Sequence, residues 1–415
     1  MSAVRPPSFE PLARPVNRAE GAPSRRWLGL AFVLALLVGC STGAPRSVSP
    51  PPGRATLPAA AVVLPAQIVG NFFLIEGKAD RAGTPRFLID TGSSVNLFSP
   101  GMVRRLQGRE APTSSPGVRV AGADGTVLEL QRGTLRRLDL GEARFDEIEV
   151  LLYDCAALSA HLGVKVDGVL GFPLFRDMIL TLDYPGGRLV LQRGQEVPPM
   201  VGTVIPFDDA RKTPLVTVRL GDRSLVALID SGSDAWFSLN PVGVAPVYVA
   251  GPTVGATVGT ISGDHTQKVA RLAEDLTLGD QVFQQPIVDL TDELSSIGGA
   301  MLRHFVVSFD QRRDRVIFSR GAQGPIVTPP LRSAGVSFSK TPAYWRVAGV
   351  VPRSGAEAAG IQRGDLVTRI NGEPVSRWDF RRYEKLMAAS AELTFSLLNG
   401  ITEAEKRVRV FDLIP

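Results

Sequence analysis

The sequence predicts a mainly β protein in which two β-barrel lobes of one design form a pseudo-dimer, followed by a small α+β module. Three observations predict it. The 415-residue chain carries 42 Gly and 32 Pro among many Val, Leu, Ile and Thr, a mix that favours short strands and turns over long helices. A set of landmarks recurs in the same order in two consecutive stretches, about residues 62–195 and 202–320. The closing stretch then abandons that pattern for strand, turn and helix signals of its own.

Composition narrows the partners. Lys and Arg number 46 against 41 Asp and Glu, a net charge of +5 with the basic residues scattered. That balance describes a solvated surface, and no nucleic-acid partner is expected. Three histidines without an HExxH pattern leave a zinc mechanism without support, so no metal and no cofactor are expected. No GxSxG nucleophile motif occurs either.

The elements follow in chain order. Arg25 and Arg26 precede the apolar run 27–39, WLGLAFVLALLVG. It is too short to span a bilayer comfortably and has the length of a signal-peptide core. It ends in Leu37-Val38-Gly39-Cys40, which resembles the bacterial lipobox. The resemblance implies that Cys40 is lipidated, that residues 1–40 form the signal peptide, and that the chain is anchored to a membrane of the cell envelope. Ser41 would suit an outer membrane facing the periplasm, if the cell is Gram-negative. Residues 41–60 are rich in Pro, Ser, Gly and Ala and read as a flexible tether. Cys155, the other cysteine, reads as a packing residue.

The repeat sets the next boundaries, one lobe at residues 61–197 and a second at 198–322. Residues 86–99, RFLIDTGSSVNLFS, match 226–238, VALIDSGSDAWFS. Hairpin signals follow around Asp124-Gly125 and around Gly263-Asp264. Residues 138–152 then match 276–290, and 169–183 match 296–310.

In each copy an apolar strand delivers an aspartate to a turn. Gly92 and Gly232 permit a tight bend and close backbone approach. Thr91 and Ser231 supply small hydroxyls able to bond across a pseudo-symmetry axis, with Ser93 and Ser233 completing the loops. A lone Asp-x-Gly is common in ordinary turns. Two of them at equivalent positions of a duplication would bring Asp90 and Asp230 face to face. Carboxyls at such a distance cannot both ionise easily and share one proton. The ionised member can take a proton from a water held between them while the other hydrogen-bonds the scissile carbonyl.

At these residues the chain resembles the pepsin and retropepsin-like aspartic peptidases, over roughly 260 residues. The resemblance rests on Asp90-Thr91-Gly92-Ser93, Asp230-Ser231-Gly232-Ser233, Val169-Leu170-Gly171 and Ile297-Gly298. It implies catalysis by Asp90 and Asp230 on protein or peptide substrates, and a flap at the Asp124-Gly125 turn, the Gly263-Asp264 turn, or both. With both aspartates in one chain, a monomer is expected. Two departures stand out: Ser296 occupies a position where the family carries an apolar residue, and the first hairpin lacks a Tyr. A catalytically inactive peptide-binding adaptor of the same fold is the alternative reading. An enzyme acting on a non-peptide envelope polymer is a third, with nothing in the sequence to favour it.

Residues 323–333 read as a linker. In the module at 334–415, GAEAAGIQRGDLVTRINGEPV resembles a bacterial PDZ domain. Ser354 starts a short helix that Gly360 ends, Asn371-Gly372 is a turn, and residues 378–389 have helical periodicity. By resemblance, a peptide would add along residues 347–351 opposite the helix at 381–389, with the carboxylate loop near Tyr344 and with Trp345, Arg346 and Val347 as contacts. The usual loop glycine is absent around Arg346.

Overall fold

The computed structural model describes residues 53–78, 83–107, 113–122, 125–194, 201–260, 263–341 and 343–415. The expectations for the leader, Cys40 and Asp124 lie outside these residues. The described chain is mainly β.

In the first half, Ala61–Val69 and Phe72–Glu76 form a hairpin, and Arg86–Asp90 continues the sheet antiparallel to it. Phe87, Leu88 and Ile89 are all buried, as a strand covered on both faces requires. Gly168–Gly171 runs parallel to Arg86–Asp90 and pairs Asp90 with Gly171. On its other side lies Leu97–Phe98, antiparallel to it and parallel to Ala143–Leu152. The chain thus leaves Asp90, loops out, and returns through its own neighbour.

The second half repeats these pairings. Arg223–Ile229 runs parallel to Ser296–Ile297. Phe237–Leu239 is antiparallel to Ser296–Ile297 and parallel to Ile287–Leu290. Ser296, the polar departure in the repeat, is buried opposite Leu228.

One sheet joins the halves, in the order Thr203–Pro206, Arg315–Ser319, Val306–Asp310, Met178–Asp183, Arg188–Arg193, Ala61–Val69. At its centre Thr181 pairs with Ser308, and their hydroxyls lie 2.8 Å apart. Either side of that pair, Asp183 bonds Arg188 and Asp310 bonds Arg315. The apolar core runs through the same boundary: Phe172 packs edge-on against Phe207 and Phe309, with ring centres 5.8 and 5.3 Å apart. The halves therefore share sheet and core and do not merely touch.

Two segments differ from their reading as flexible connectors. Arg54–Thr56 pairs antiparallel with Ala143–Leu152, and Leu57 is buried, so the end of the expected tether belongs to the sheet of the first half. In the expected linker, Ile326–Val327 pairs with Gln281–Gln284 and Leu331–Ser333 pairs with Phe411–Ile414. Each is a strand too short to stand alone, formed only because a distant partner offers an open edge.

The C-terminal module has its own apolar core, which includes Trp345, Val347, Val367, Tyr383 and Phe395. Its sheet runs Val336–Lys340, Trp345–Val350, Leu366–Ile370, Glu392–Asn399, Thr402–Arg409. Ser354 caps the helix Gly355–Ala358 by accepting from Glu357 N, and Gly360 follows it with φ 76°. Asn371 and Gly372 both have positive φ, as the turn signal required. Asp379 caps the helix Phe380–Ala389.

The expected peptide contacts in this module are corrected. Trp345–Val350 is an interior strand, paired on one side with Val336–Lys340 and on the other with Leu366–Ile370. It offers no edge to an added strand. Trp345 and Val347 are fully buried core residues and Arg346 points to solvent. The edge strand beside the helix Phe380–Ala389 is Val336–Lys340, whose Phe338 packs on Tyr383.

Candidate active site

The two Asp-x-Gly loops meet where the halves join. Thr91 N donates to Ser231 Oγ (3.0 Å), and Ser231 N donates to Thr91 Oγ1 (3.0 Å). Each hydroxyl also donates to the carbonyl two residues before the opposite hydroxyl residue: Thr91 Oγ1 to Ile229 O (2.7 Å) and Ser231 Oγ to Ile89 O (2.8 Å). Thr91 and Ser231 are both fully buried. Four bonds in a reciprocal ring, shielded from water, fix one loop against the other. A short residue with both a donor and an acceptor is needed at each position, which explains Thr and Ser here.

The ring seats each aspartate over the opposite glycine. A side-chain carbon at Gly92 would lie 2.5 Å from Asp230 Oδ1, and one at Gly232 would strike the carboxyl carbon of Asp90. Each carboxyl thus lies against the opposite loop, close enough for the charge of Asp230 to act on Asp90. Gly232 N donates to Asp230 Oδ1 (2.9 Å), whereas Asp90 Oδ1 is buried without a hydrogen-bond partner in the protein.

Electrostatics separate the pair. Burial lifts the Asp90 carboxyl well above its ordinary 3.8, and the charge of Asp230 and the bond to it lift it further. Burial also raises Asp230, but the Gly232 amide and the bond from Asp90 pull it back down. Both carboxyls are raised, Asp90 the more strongly even against the Gly92 and Ser93 amides that lower it, so the pair resists full ionisation and favours holding one proton between its two members.

The loops are aimed from below. Ser93 O accepts from Phe172 N (3.0 Å), and Ser233 O accepts from Gly299 N (2.7 Å). A side-chain carbon at Gly171 would strike the backbone oxygen of Val95, and one at Gly298 would strike that of Ala235. Alanine at either glycine has no flexible neighbour to displace. Gly298→Ala is expected to destabilise the protein by about 3 kcal/mol, read as a lower thermal midpoint, and to displace Asp230 with it.

The hairpins reach across the junction in opposite senses. The first joins Thr113–Ala121 to Val127–Leu140, and Gly125 at its turn (φ 73°) lies against Glu293 of the second half. The second joins Tyr248–Thr260 to Gly263–Leu272. Its Asp264 accepts from His161 Nε2 (3.0 Å), on the helix Ala156–Leu162 of the first half. Gly263 lies within the second strand of that hairpin and pairs with Thr260.

Sequence reasoning passed over several of these residues. The contacts of His161 and Glu293 were not legible, because each partner lies far away in the chain. The buried phenol of Tyr184 has no hydrogen-bond partner and is pushed up by burial and by the charge of Asp230. It stands opposite Gln311 in the repeat, so duplication could not point to it. Asp289, half-buried, is pushed up to about 7 by burial and by Asp234. The Cys155 thiol is buried and pushed up to about 12, an inert packing group as read. Trp236 is partly buried against the core and stacks near His304, ring centres 5.4 Å apart.

Known families match this chain in two places. Residues 75–174 match the family model described as aspartyl protease, and residues 346–398 match that of the PDZ domain. The first match spans Asp90-Thr91-Gly92 and reaches past Gly171, so it covers one loop and the strand that aims it. No curated protein matches the chain.

Proposed function

We propose that the chain is an aspartic endopeptidase whose two halves are copies of one retropepsin-like lobe, with Asp90 and Asp230 as the catalytic residues. The observation that carries this reading is the reciprocal ring of Thr91 and Ser231, which seats each of two buried aspartates against the opposite loop. An aspartyl protease match over the first loop and a PDZ match at the C-terminal end agree with a function of the protease kind.

In the proposed reaction the Asp230 carboxylate takes a proton from water as its oxygen attacks the peptide carbonyl carbon. The Asp90 proton hydrogen-bonds the carbonyl oxygen as charge develops there. In the collapse the C–N bond breaks, the amine leaves with a proton and the water oxygen stays in the new carboxyl group. Neither a metal nor a covalent intermediate is required by this scheme. The hairpin tips that contact opposite halves would roof the dyad, and one must part before a polypeptide can enter.

The pH profile follows from the pair. Activity needs one proton on the dyad, so it falls when the pair gains its second proton at low pH and when it loses its last at high pH. Both groups are raised, so the alkaline limb lies above the ordinary carboxylate range. Hydrolysis of denatured casein, followed from acid to neutral pH, is expected to give a bell with that limb. Hydrolysis unchanged in Asp90→Asn and Asp230→Asn would transfer the activity elsewhere. A wild type inert at every pH would favour a peptide-binding adaptor.

We also propose that Cys40 carries a lipid that tethers the enzyme in the cell envelope, that it acts as a monomer, and that its substrates are proteins or peptides. The PDZ match suggests peptide binding by the C-terminal module.

A further inference from the structure

The second hairpin is fastened to the C-terminal module along its whole length. At its tip Asp264 accepts from Arg363 Nη2 (2.9 Å) with one carboxylate oxygen and from His161 with the other. Midway, Thr257 N donates to Ser337 Oγ (2.9 Å), and the absence of a side chain at Gly349 is what admits the Thr257 hydroxyl. At its base Arg271 donates to the carbonyls of Thr328, Pro329 and Pro415, and Ile414 packs with Val269 and Ile287.

The same module holds the first half. A side-chain carbon at Gly163, the left-handed residue that ends the helix Ala156–Leu162, would lie 3.0 Å from Lys340 Cδ and 3.1 Å from a ring carbon of Phe380. Those two residues belong to the edge strand Val336–Lys340 and to the helix Phe380–Ala389, the walls of the module's groove. The helix Ala156–Leu162 and the strand Tyr248–Thr260 both pack against that edge strand. An added strand finds this edge already covered by the chain itself.

We propose that the C-terminal module is a clasp. Its groove binds this chain's own helix end, and through Asp264 it holds the second hairpin shut against the first half. His161 and Arg363 meet on one carboxylate, so the three bodies close or part together. Loosening the clasp frees the hairpin and opens the way to the dyad. Only this last consequence rests on the peptidase reading.

The test uses the full chain with Asp264→Ala, and separately Gly163→Asn. Asn tolerates the left-handed backbone, but its side chain pushes against Lys340 and Phe380. Amide hydrogen exchange is expected to quicken about tenfold or more across residues 248–272 and 156–162 in both variants. Exchange at residues 86–90 should stay at the wild-type rate, which shows the fold intact. Turnover of denatured casein is expected to rise several-fold in Asp264→Ala, which the loss of a merely structural bond would not produce. Wild-type exchange in both variants overturns the clasp. Faster exchange with turnover unchanged or lower overturns its role as a gate. Faster exchange when neither wild type nor variant cuts casein upholds the clasp and removes the peptidase reading instead.

Discussion

Asp90→Asn is expected to lower the turnover of an unfolded protein by about a thousandfold or more and, at neutral pH, to leave a protein more stable than the wild type. Both effects have one cause. Asp90 is buried beside Asp230 with one oxygen unpartnered, so the fold resists its ionisation. A group raised in this way binds its proton more tightly folded than unfolded. Its favourable contribution is complete below the unfolded value near 3.8 and is lost as pH climbs through the folded one. At neutral pH the folded wild type must either keep a proton that the unfolded chain releases or bury a second charge beside Asp230, and Asn does neither. Below the unfolded value the advantage should vanish. Thermal unfolding of both proteins at acid and neutral pH, beside casein turnover, reads the two effects. A midpoint that falls at neutral pH would mean the carboxyls do not oppose each other.

Thr91→Val should produce the largest loss of stability for its size. Valine keeps the shape of threonine and removes the hydroxyl. That leaves Ser231 N and Ile229 O buried without their partner. Unsatisfied buried groups cost about 1–3 kcal/mol each, so a loss of about 2–4 kcal/mol is expected in urea unfolding. Ser231→Ala strands Thr91 N and Ile89 O in the same way. The double variant should lose less than the sum, because once the loops part, water reaches the stranded groups of both sides. Turnover should fall with stability, since an ångström of misplacement between reacting groups costs about a hundredfold. Full additivity would mean that the two hydroxyls hold nothing in common.

What the sequence revealed and what it concealed divide on physical grounds. The dyad was legible because its requirements are local and occur twice: apolar strand, Asp, small hydroxyl, glycine. Repetition turned an ordinary turn signal into a paired one. The caps at Ser354 and Gly360 and the turn at Asn371-Gly372 were legible for the same local reason. The short strands at 54–56 and 326–327 were hidden, because Pro- and Gly-rich flanks look like connectors and only a distant open edge makes them pair. The module's groove was misplaced by one strand. Its edge strand, Val336–Lys340, precedes the recognisable GAEAAG stretch and has no turn signature, whereas Trp345 and Val347 were placed at the groove by resemblance and prove to be core. Asp264 was read as part of a flap turn, but its bond to His161 was not. That bond is a contact between bodies, which local pattern does not record.

The central claim is that Asp90 and Asp230 jointly activate one water against a peptide bond. Digesting an unfolded protein with the full chain in heavy-oxygen water, and weighing the fragments, tests it most directly. The account predicts one heavy oxygen in each new terminal carboxyl group, and no new termini with Asp90→Asn or Asp230→Asn. The same fragments appearing with either variant would contradict it.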